Sequence, residues 1–382
     1  MTTKTSTMTN EERLKKTIHL QKADKVLFGP SINTFVAKYV GMTTKEFYAN
    51  PEKVEAAYEK CFNDMGGWDL VRNATPAPAF GGLFNRMAMP GSELEENVVH
   101  QAIETEVMLP EDYDFAIENG LKALQDRLDK RANHKAETVQ VSPEERKRRT
   151  DEAAKRAKAV NEKWRARGTT CLTAGMPTNP LGYFTSQRSL LKFPMDLRRI
   201  PEKVKQATKV CMPEYIAQAK KMIENTGIPR VTMGGGLRGG ATIFSAKAFE
   251  EFAFPNWLEA VYAITDAGYD VVFHCDSDWT KFIHYFKEFP KGRCVLQLDG
   301  ATDIFKAKEI LKDHMVLMGD VPAPMLTLDT PENVFEYCKK LINIIGEDGA
   351  FILNSGCETP YNSKIENVAA MCKAGNELTW RN

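Results

Sequence analysis

The chain has 382 residues, of which 43% are apolar and 27% charged, and its 51 Lys and Arg residues are balanced by 51 Asp and Glu residues. This composition is typical of a globular protein and provides no net field that would favour nucleic acid or an anionic membrane as a partner. No apolar run approaches the roughly 20 residues that span a bilayer. The first residues lack the apolar core of a signal peptide, and the eight dispersed cysteines do not suggest a disulfide framework. We therefore expect a cytoplasmic protein.

Short apolar runs alternate with long amphipathic stretches along the chain. Residues 1–22 form a polar, partly helical N-terminal extension, and residues 23–382 carry the alternating pattern. Helical patterns follow most of the apolar runs, for example at residues 281–289, 301–312 and 330–345. Runs without polar alternation are typical of parallel strands that are covered on both faces. Candidate strands lie at residues 25–29, 68–72, 169–174, 229–233, 269–275, 293–299, 315–319 and 350–355.

Eight such units in a chain of this length predict an α/β protein built as a single (β/α)8 TIM barrel rather than an open doubly wound sheet. The connection between the second and third strands, residues 76–168, is very long, and we expect it to form an insertion or lid with charged helices. Ser142, Pro143 and Glu145 provide an N-cap, a first-position proline and a capping-box glutamate for one of them. Acidic residues are interspersed in the basic stretch that follows, so we interpret it as a solvated helix face.

Histidine, thiol and carboxylate groups follow the fifth and eighth predicted strands. Active sites of such barrels lie at the carboxyl ends of the strands, so these groups should converge on one cavity. His274, Asp276 and Cys357 would offer zinc one nitrogen, one oxygen and one sulfur donor and leave a fourth position open. Cys275 is an alternative ligand. A structural interpretation also stays open, in which His274 is a hydrogen-bonded barrel histidine and Cys357 a buried thiol.

Other residues near the strand ends are candidates for catalysis and substrate binding. Either Glu358 or Asp299 could orient the histidine or bind the metal directly. The polar side chains of Asn33, Asp320 and Asn354 are expected to contact substrate. A flat apolar substrate would also need aromatic walls at the barrel mouth. The aromatic candidates are Phe80, Phe84, Tyr183, Phe184, Phe244 and Trp279.

Several motifs resemble one protein family. They are Met-Gly-Asp-Val-Pro at residues 318–322, Thr-Pro-Glu-Asn-Val at residues 330–334 and Ser-Gly-Cys-Glu at residues 355–358. Residues 12–17 and 249–255 match the same pattern. Together they resemble the uroporphyrinogen decarboxylase-like superfamily, and within it the corrinoid-dependent methyltransferase branch. The similarity covers nearly the whole chain except residues 85–165, and the fold that it implies is the (β/α)8 barrel.

The resemblance also implies a ligand set and one departure from it. In zinc-bearing members, a His-x-Cys at one strand end and a cysteine after a glycine near the C-terminus hold the metal. His274 matches the histidine and Cys357 the distant cysteine, whereas Asp276 replaces the middle cysteine. A carboxylate ligand makes zinc a harder Lewis acid, better suited to oxygen than to a thiol. A metal-free site with Asp276 as general acid is the alternative.

The resemblance implies a reaction class, and the departure at Asp276 favours one member of it. Decarboxylases of the superfamily carry arginines after the first strand, but residues 29–36 contain none. We therefore expect an O-demethylating methyltransferase, which passes the methyl group of a methoxylated aromatic substrate to the Co(I) cobalamin of a partner corrinoid protein. The alternatives are a methylcorrinoid:thiol methyltransferase, a decarboxylase-like lyase and a barrel that only binds a partner. Whether the chain forms a homodimer stays open.

Overall fold

The computed structural model describes residues 8–72, 87–135, 143–234 and 244–380 and arranges their strands around a barrel. Eight strands, at the eight predicted places, are parallel to one another, which confirms the predicted barrel class. Two further short strands, Met87–Ala88 and Gln101–Ala102, pair in antiparallel fashion inside the insertion. In chain order the strands are β1 Leu27–Phe28, β2 Leu70–Val71, β3 Met87–Ala88, β4 Gln101–Ala102, β5 Thr170–Cys171, β6 Arg230–Gly234, β7 Asp270–Cys275, β8 Cys294–Leu298, β9 Val316–Asp320 and β10 Phe351–Asn354.

Backbone hydrogen bonds close these eight strands into a ring. Six of them form one sheet in the order β1-β10-β9-β8-β7-β6, and β2 pairs with β5. The two sheets join where the amide of Asp69 donates to the carbonyl of Phe28 (2.8 Å) and the amide of Ala174 donates to that of Arg230 (2.8 Å). Each strand therefore neighbours the next barrel strand along the chain, as a (β/α)8 barrel requires.

Helices follow the strands and cover the outside of the barrel. Proline at the first position starts several of them, because its fixed φ suits a helix and its missing N–H would be unpaired there. The segment predicted as a helix at residues 281–289 is instead a 3-10 helix, Thr280–Glu288, and a π-helical turn spans Phe249–Ala253. The α-helices are Asn10–Ile18, Phe35–Val40, Thr44–Ala49, Pro51–Asp64, Asp112–Lys135, Pro143–Ala166, Pro180–Arg188, Phe193–Arg199, Pro201–Thr226, Ala246–Ala248, Phe254–Thr265, Ile304–Leu311, Ala323–Leu328, Pro331–Ile344 and Ile365–Glu377.

The barrel wall separates two apolar cores. Alternate residues of each strand point to opposite faces. The inner set fills the lumen and includes Leu70, Val272, Val295 and Ile352. The outer set packs against the helices and includes Phe273, Leu296 and Leu353 among many others. Two residues after each of these four lumen residues, the same inward face carries a polar side chain of the candidate site.

The N-terminal helix Asn10–Ile18 closes the opposite end of the lumen. Thr9 and Glu12 form a capping box that starts it. Its Leu14 and Ile18 belong to the lumen core. The guanidinium of Arg230 binds both carboxylate oxygens of Glu11 at 2.6 and 2.8 Å, which fastens the helix to β6. Apolar packing thus fills the amino end of the barrel and leaves polar chemistry to the carboxyl end.

The long connection after β2 contributes the β3–β4 hairpin and two long helices. Helix Asp112–Lys135 has a break at Gly120, whose φ of 84° lies in the left-handed region. Helix Pro143–Ala166 begins at the predicted proline, while Ser142 lies outside the described residues.

None of the described helices contains an apolar stretch that could cross a membrane.

Asp320, at the end of β9, carries a carboxylate that is buried against the helix layer. It is 2% exposed, and the hydroxyl of Tyr337 in helix Pro331–Ile344 donates to its Oδ1 at 2.8 Å. Burial raises the pKa of Asp320 to about 6, although the hydrogen bond from Tyr337 lowers it. The ionised form is therefore disfavoured in the folded protein.

This carboxylate makes the stability depend on pH. The folded-state pKa of Asp320 is raised, so its contribution is most favourable below the unfolded-state pKa, which is about 4. That contribution is lost as the pH rises through about 6. Asp320→Asn should remove this loss, so its unfolding free energy relative to wild type should increase by roughly 2 kcal/mol between pH 4 and pH 7.5. Urea unfolding at both pH values measures it, and a pH-independent difference would contradict the raised pKa.

Candidate functional site

Three metal-binding side chain types meet at the carboxyl end of the barrel. The imidazole of His274 lies at the end of β7, Asp276 follows it in the loop, and Cys357 lies in the loop after β10. His274 Nε2 is 3.2 Å from Asp276 Oδ1 and 3.7 Å from Cys357 Sγ. One ligand atom from each residue lies within 4.8 Å of the other two. We call His274, Asp276 and Cys357 the mouth triad.

Local sequence explains how each member of the mouth triad reaches the lumen. His274 points inward because it lies two residues after the lumen residue Val272. Gly356 has a φ of 70°, and a Cβ there would lie 3.0 Å from the backbone of Asp299. Glycine is therefore needed for the turn that brings Cys357 back over the lumen.

The loops on both sides are fastened by hydrogen bonds. The hydroxyl of Ser355 accepts from the amide of Ser31 at 3.0 Å and donates to the carbonyl of Cys357 at 2.9 Å. The indole N–H of Trp279 donates to the carbonyl of Asp276 at 2.8 Å. The ligand-bearing backbone is thus held on each side of the cavity.

The electrostatics of the mouth triad place a negative charge beside the imidazole. Burial alone would raise the pKa of Asp276, but hydrogen bonding to His274 and Cys357 and the positive charges of His274 and Arg72 outweigh it, so the pKa is lowered. Burial raises the pKa of the Cys357 thiol to about 12, and Asp276 adds to the rise. Metal binding by this thiol would release its proton, because a thiolate is the ligand form.

A chain of buried amides lies behind the imidazole. Gln297, on the inward face of β8, is 0% exposed. Its Nε2 donates to Asn354 Oδ1 at 2.9 Å and to the carbonyl of Gly356 at 2.7 Å. The Nδ2 of Asn354 in turn donates to the carbonyl of Gly29. Backbone carbonyls only accept, so this chain can run in one direction only, and the Oε1 of Gln297 must face His274.

That orientation selects the imidazole tautomer. The Oε1 of Gln297 lies 3.0 Å from His274 Nδ1. An amide oxygen is only an acceptor, so it favours the tautomer with the proton on Nδ1. Nε2 is then the nitrogen that faces Asp276 and Cys357, and its lone pair becomes available to a metal ion once the proton that it shares with the Asp276 carboxylate is released. This is the arrangement of a metal-ligating histidine whose second nitrogen donates to an outer partner.

Arg72 lies next to Gln297 at the Nδ1 edge of the same imidazole. It follows β2 on the inward face and is partly buried. Its Nη1 donates to Gln297 Oε1 at 2.9 Å and approaches His274 Nδ1 to 3.2 Å. Burial lowers the pKa of Arg72, while the charges of Cys357, Glu358 and Asp276 raise it.

Glu358 forms a second polar wall next to the mouth triad. The Nδ2 of Asn33 donates to its Oε1. Burial raises the pKa of Glu358, and the hydrogen bond from Asn33 and the charge of Arg72 oppose that rise. The buried phenol of Tyr58 has no hydrogen-bond partner in the described part of the chain, and the charge of Glu358 contributes to its raised pKa. This wall therefore presents the carboxyl group of Glu358, while the phenol of Tyr58 belongs to the outer core.

The structure does not bring the alternative ligand Cys275 to the mouth triad. Its side chain belongs to the outer core that faces the helices and is 0% exposed. Both carboxylate oxygens of Asp299 accept hydrogen bonds from loop amides. Oδ2 accepts from the amide of Ser277 at 2.7 Å, and Oδ1 accepts from the amide of Ala301 at 2.9 Å. Its carboxylate organises the loop after β8 and does not orient His274.

Several expected substrate contacts have internal roles instead. Trp279 is 0% exposed and stacks on Trp257 in the outer aromatic core, and Tyr183 is buried in the same core. Asp320 binds Tyr337, and Asn354 belongs to the amide chain. Phe184 and Phe244 are buried as well. Phe80 and Phe84 lie outside the described residues.

Sequence reasoning missed Gln297 and Arg72. Gln297 is the polar member of the buried run Cys-Val-Leu-Gln-Leu, and Arg72 follows the buried pair Leu70–Val71. A lone polar residue near the end of a buried strand, on the same face as the predicted histidine, was the signal available for both. Knowledge of the register is needed to use it, because His274 and Gln297 are Cα partners across β7 and β8.

Comparisons with known proteins agree with the fold and with the superfamily inferred from the motifs. A solved structure, a methyltransferase from Methanosarcina mazei, matches with a TM-score of 0.68 at 16% identity, over 97% of this chain and 99% of that one. At this identity the likeness establishes the fold alone. The search of curated proteins finds no match. The family model for uroporphyrinogen decarboxylase (URO-D) matches residues 122–378. Because that match covers well over half of its residues, this chain belongs to the uroporphyrinogen decarboxylase (URO-D) family.

Proposed function

We propose that the protein is a methyltransferase that removes the methyl group of a methoxylated aromatic substrate and passes it to the Co(I) corrinoid of a partner protein. The observation that carries this proposal is the mixed donor set of the mouth triad, within 4.8 Å at the open end of the barrel. Arginines that could clamp several substrate carboxylates are absent from residues 29–36. Ser31 and Asn33 of this loop instead form hydrogen bonds to Ser355 and Glu358, in the segment that carries Cys357.

The residues fit a catalytic zinc ion. Such sites use three protein ligands and keep a fourth position open. His274 would bind through Nε2, Asp276 through a carboxylate oxygen and Cys357 through its thiolate. Gln297 supplies the outer hydrogen bond to Nδ1 that metal-bound histidines need. One carboxylate in place of a second thiolate makes the site harder and favours oxygen at the open position.

The chemistry of ether cleavage needs stabilisation of the leaving oxygen. The bond between the methyl carbon and the ether oxygen breaks, the carbon passes to cobalt, and the oxygen leaves as a phenolate. When bound, zinc would supply Lewis acidity at that oxygen. The chain's own residues orient the imidazole through Gln297, hold Asp276 ionised and keep Glu358 beside the cavity as a group that can exchange a proton with the phenolate.

The two neighbouring thiols provide a matched test of the ligand set. Cys357→Ala should lose stoichiometric zinc, because two protein ligands remain where three are needed. Cys275→Ala should retain it, because that thiol faces the helix layer. Metal analysis after dialysis against zinc-buffered solution measures both. Zinc retained by Cys357→Ala, or lost by a folded Cys275→Ala, would contradict the assignment.

Gln297 allows a test of the tautomer. Gln297→Met has a similar shape but no acceptor for the proton on His274 Nδ1. It should weaken zinc binding by about 10- to 100-fold, the usual effect of losing an outer-shell partner. Gln218→Met is the control, since Gln218 accepts from the amide of Thr178 and no described hydrogen bond joins it to the mouth triad. Competition with a chromophoric chelator gives the affinities, and equal affinity in both variants would remove Gln297 from the site.

The proposed reaction is tested directly with reduced corrinoid protein and a panel of methoxyarenes. Wild-type protein should release the phenol and methylate the corrinoid, which changes the visible spectrum. His274→Ala should reduce the rate by at least about 100-fold, because it removes a metal ligand. Methylation of a thiol by methylcorrinoid, without transfer from any methoxyarene, would instead identify a thiol methyltransferase. Loss of CO2 from a carboxylated substrate would identify a lyase.

A further inference from the structure

Arg72 is a charged side chain at the mouth triad that no carboxylate of the described residues contacts. Other buried arginines of the described chain have one: Arg230 binds Glu11 at 2.6 Å, and Arg188 binds Asp196 at 2.5 Å. For Arg72 the described residues provide no ion pair, and its hydrogen-bonding contacts are to Gln297 and His274. A guanidinium kept away from bulk water without an anion costs free energy, so an anionic ligand would stabilise it.

Most of the hydrogen-bonding capacity of Arg72 is unused. A guanidinium has five N–H groups in a planar fork. Both contacts of Arg72 to the described residues run through Nη1. In the tautomer selected by Gln297, Nδ1 of His274 carries a proton and cannot accept from Arg72. Only the bond to Gln297 Oε1 then remains, and no described residue occupies the Nη2 and Nε edge, which has the geometry to bind a carboxylate in bidentate fashion.

Metal binding increases the need for such an anion. The acidic groups that act on Arg72 are Cys357, Glu358 and Asp276, and the Cys357 thiol keeps its proton because burial raises its pKa to about 12. A divalent ion held by Asp276 and the deprotonated thiol would offset both ligand charges, so Asp276 would no longer act on Arg72 as a net negative charge. Arg72 would then be left with Glu358 as its nearby anion, and Glu358 is already bonded to Asn33.

We propose that Arg72 binds an oxyanion of the substrate, so that the methoxylated aromatic methyl donor is one that carries a carboxylate. This inference rests on the proposed function and specifies its substrate class. Arg72 approaches Nδ1 of His274, while Asp276 and Cys357 lie at Nε2 on the other edge of the ring. In the proposed complex the aromatic ring of the substrate lies across both, with its carboxylate on the guanidinium and its ether oxygen at the open ligand position.

Calorimetric titration of the zinc-loaded protein with benzoate and with benzamide tests this proposal. The two ligands have the same shape and differ in charge. Arg72→Gln should weaken benzoate binding by about 10- to 100-fold, as loss of a charge-assisted bond does, and leave benzamide binding unchanged. Arg148→Gln is the matched control, because Arg148 lies exposed on helix Pro143–Ala166 and binds Glu145 and Glu152 of its own helix. Benzoate should bind it as it binds wild type.

A conservative variant and a second anion complete the test. Arg72→Lys keeps the charge but loses the planar fork, so its benzoate affinity should fall less than that of Arg72→Gln. If Arg72→Gln fails to retain zinc, the benzoate affinity of Arg72→Lys tests the proposal in its place. Benzenesulfonate distinguishes a sulfonate from a carboxylate as the bound oxyanion. Equal benzoate affinity in wild type, Arg72→Gln and Arg72→Lys would overturn the proposal, as would benzoate binding wild type no more tightly than benzamide.

The same proteins separate this inference from the proposed function. Arg72-dependent benzoate binding without methyl transfer from 4-methoxybenzoate would support the oxyanion site and contradict the methyltransferase. Equal methyl transfer from 4-methoxybenzoate and from methoxybenzene, in both wild type and Arg72→Gln, would support the methyltransferase and overturn the oxyanion site.

Discussion

The amide of Gln297 determines which edge of the His274 ring is free, and the arrangement of the mouth triad depends on that choice. Its nitrogen end is held by Asn354 Oδ1 and the carbonyl of Gly356, so its oxygen end must face the imidazole at 3.0 Å. Because all of these groups are buried, rotating the amide would leave two acceptors facing each other in a low-dielectric region. The chain therefore fixes a histidine whose Nδ1 donates to Gln297 and whose Nε2 faces Asp276 and Cys357.

The lumen of the barrel has an apolar end and a polar end, and this division makes the arrangement possible. Apolar residues and the N-terminal helix fill the amino end, so polar side chains have room only at the carboxyl end. There the inward positions of β7, β8 and β10 carry His274, Gln297 and Asn354, and Arg72 follows β2. Three kinds of function thus share one layer of side chains: metal ligation, orientation of the ligand and, in our proposal, attraction of an anionic substrate. The URO-D family barrel provides the positions, and the side chains at them decide the reaction.

The eight strands could be predicted because buried parallel strands are short apolar runs, and such runs are visible without knowing their partners. His274, Asp276 and Cys357 could be predicted because they follow those runs and carry unusual chemistry. Cys275 could not be excluded from spacing, since its inward or outward direction depends on where β7 ends. Gln297 was missed because its partners Asn354 and Gly356 are distant in sequence and meet it only when the barrel closes. Trp279 was expected at the substrate, but aromatic packing between helices buries it completely.

X-ray absorption spectroscopy at the zinc edge of the metal-loaded protein measures the number and type of ligand atoms. The mouth triad predicts one sulfur at about 2.3 Å together with nitrogen and oxygen ligands at about 2.0–2.2 Å. Replacing Cys357 with Ala should remove the sulfur scattering entirely. A spectrum with two or more sulfur ligands would bring a second cysteine into the shell and contradict the harder, oxygen-directed site. A spectrum without sulfur would remove Cys357 from the site.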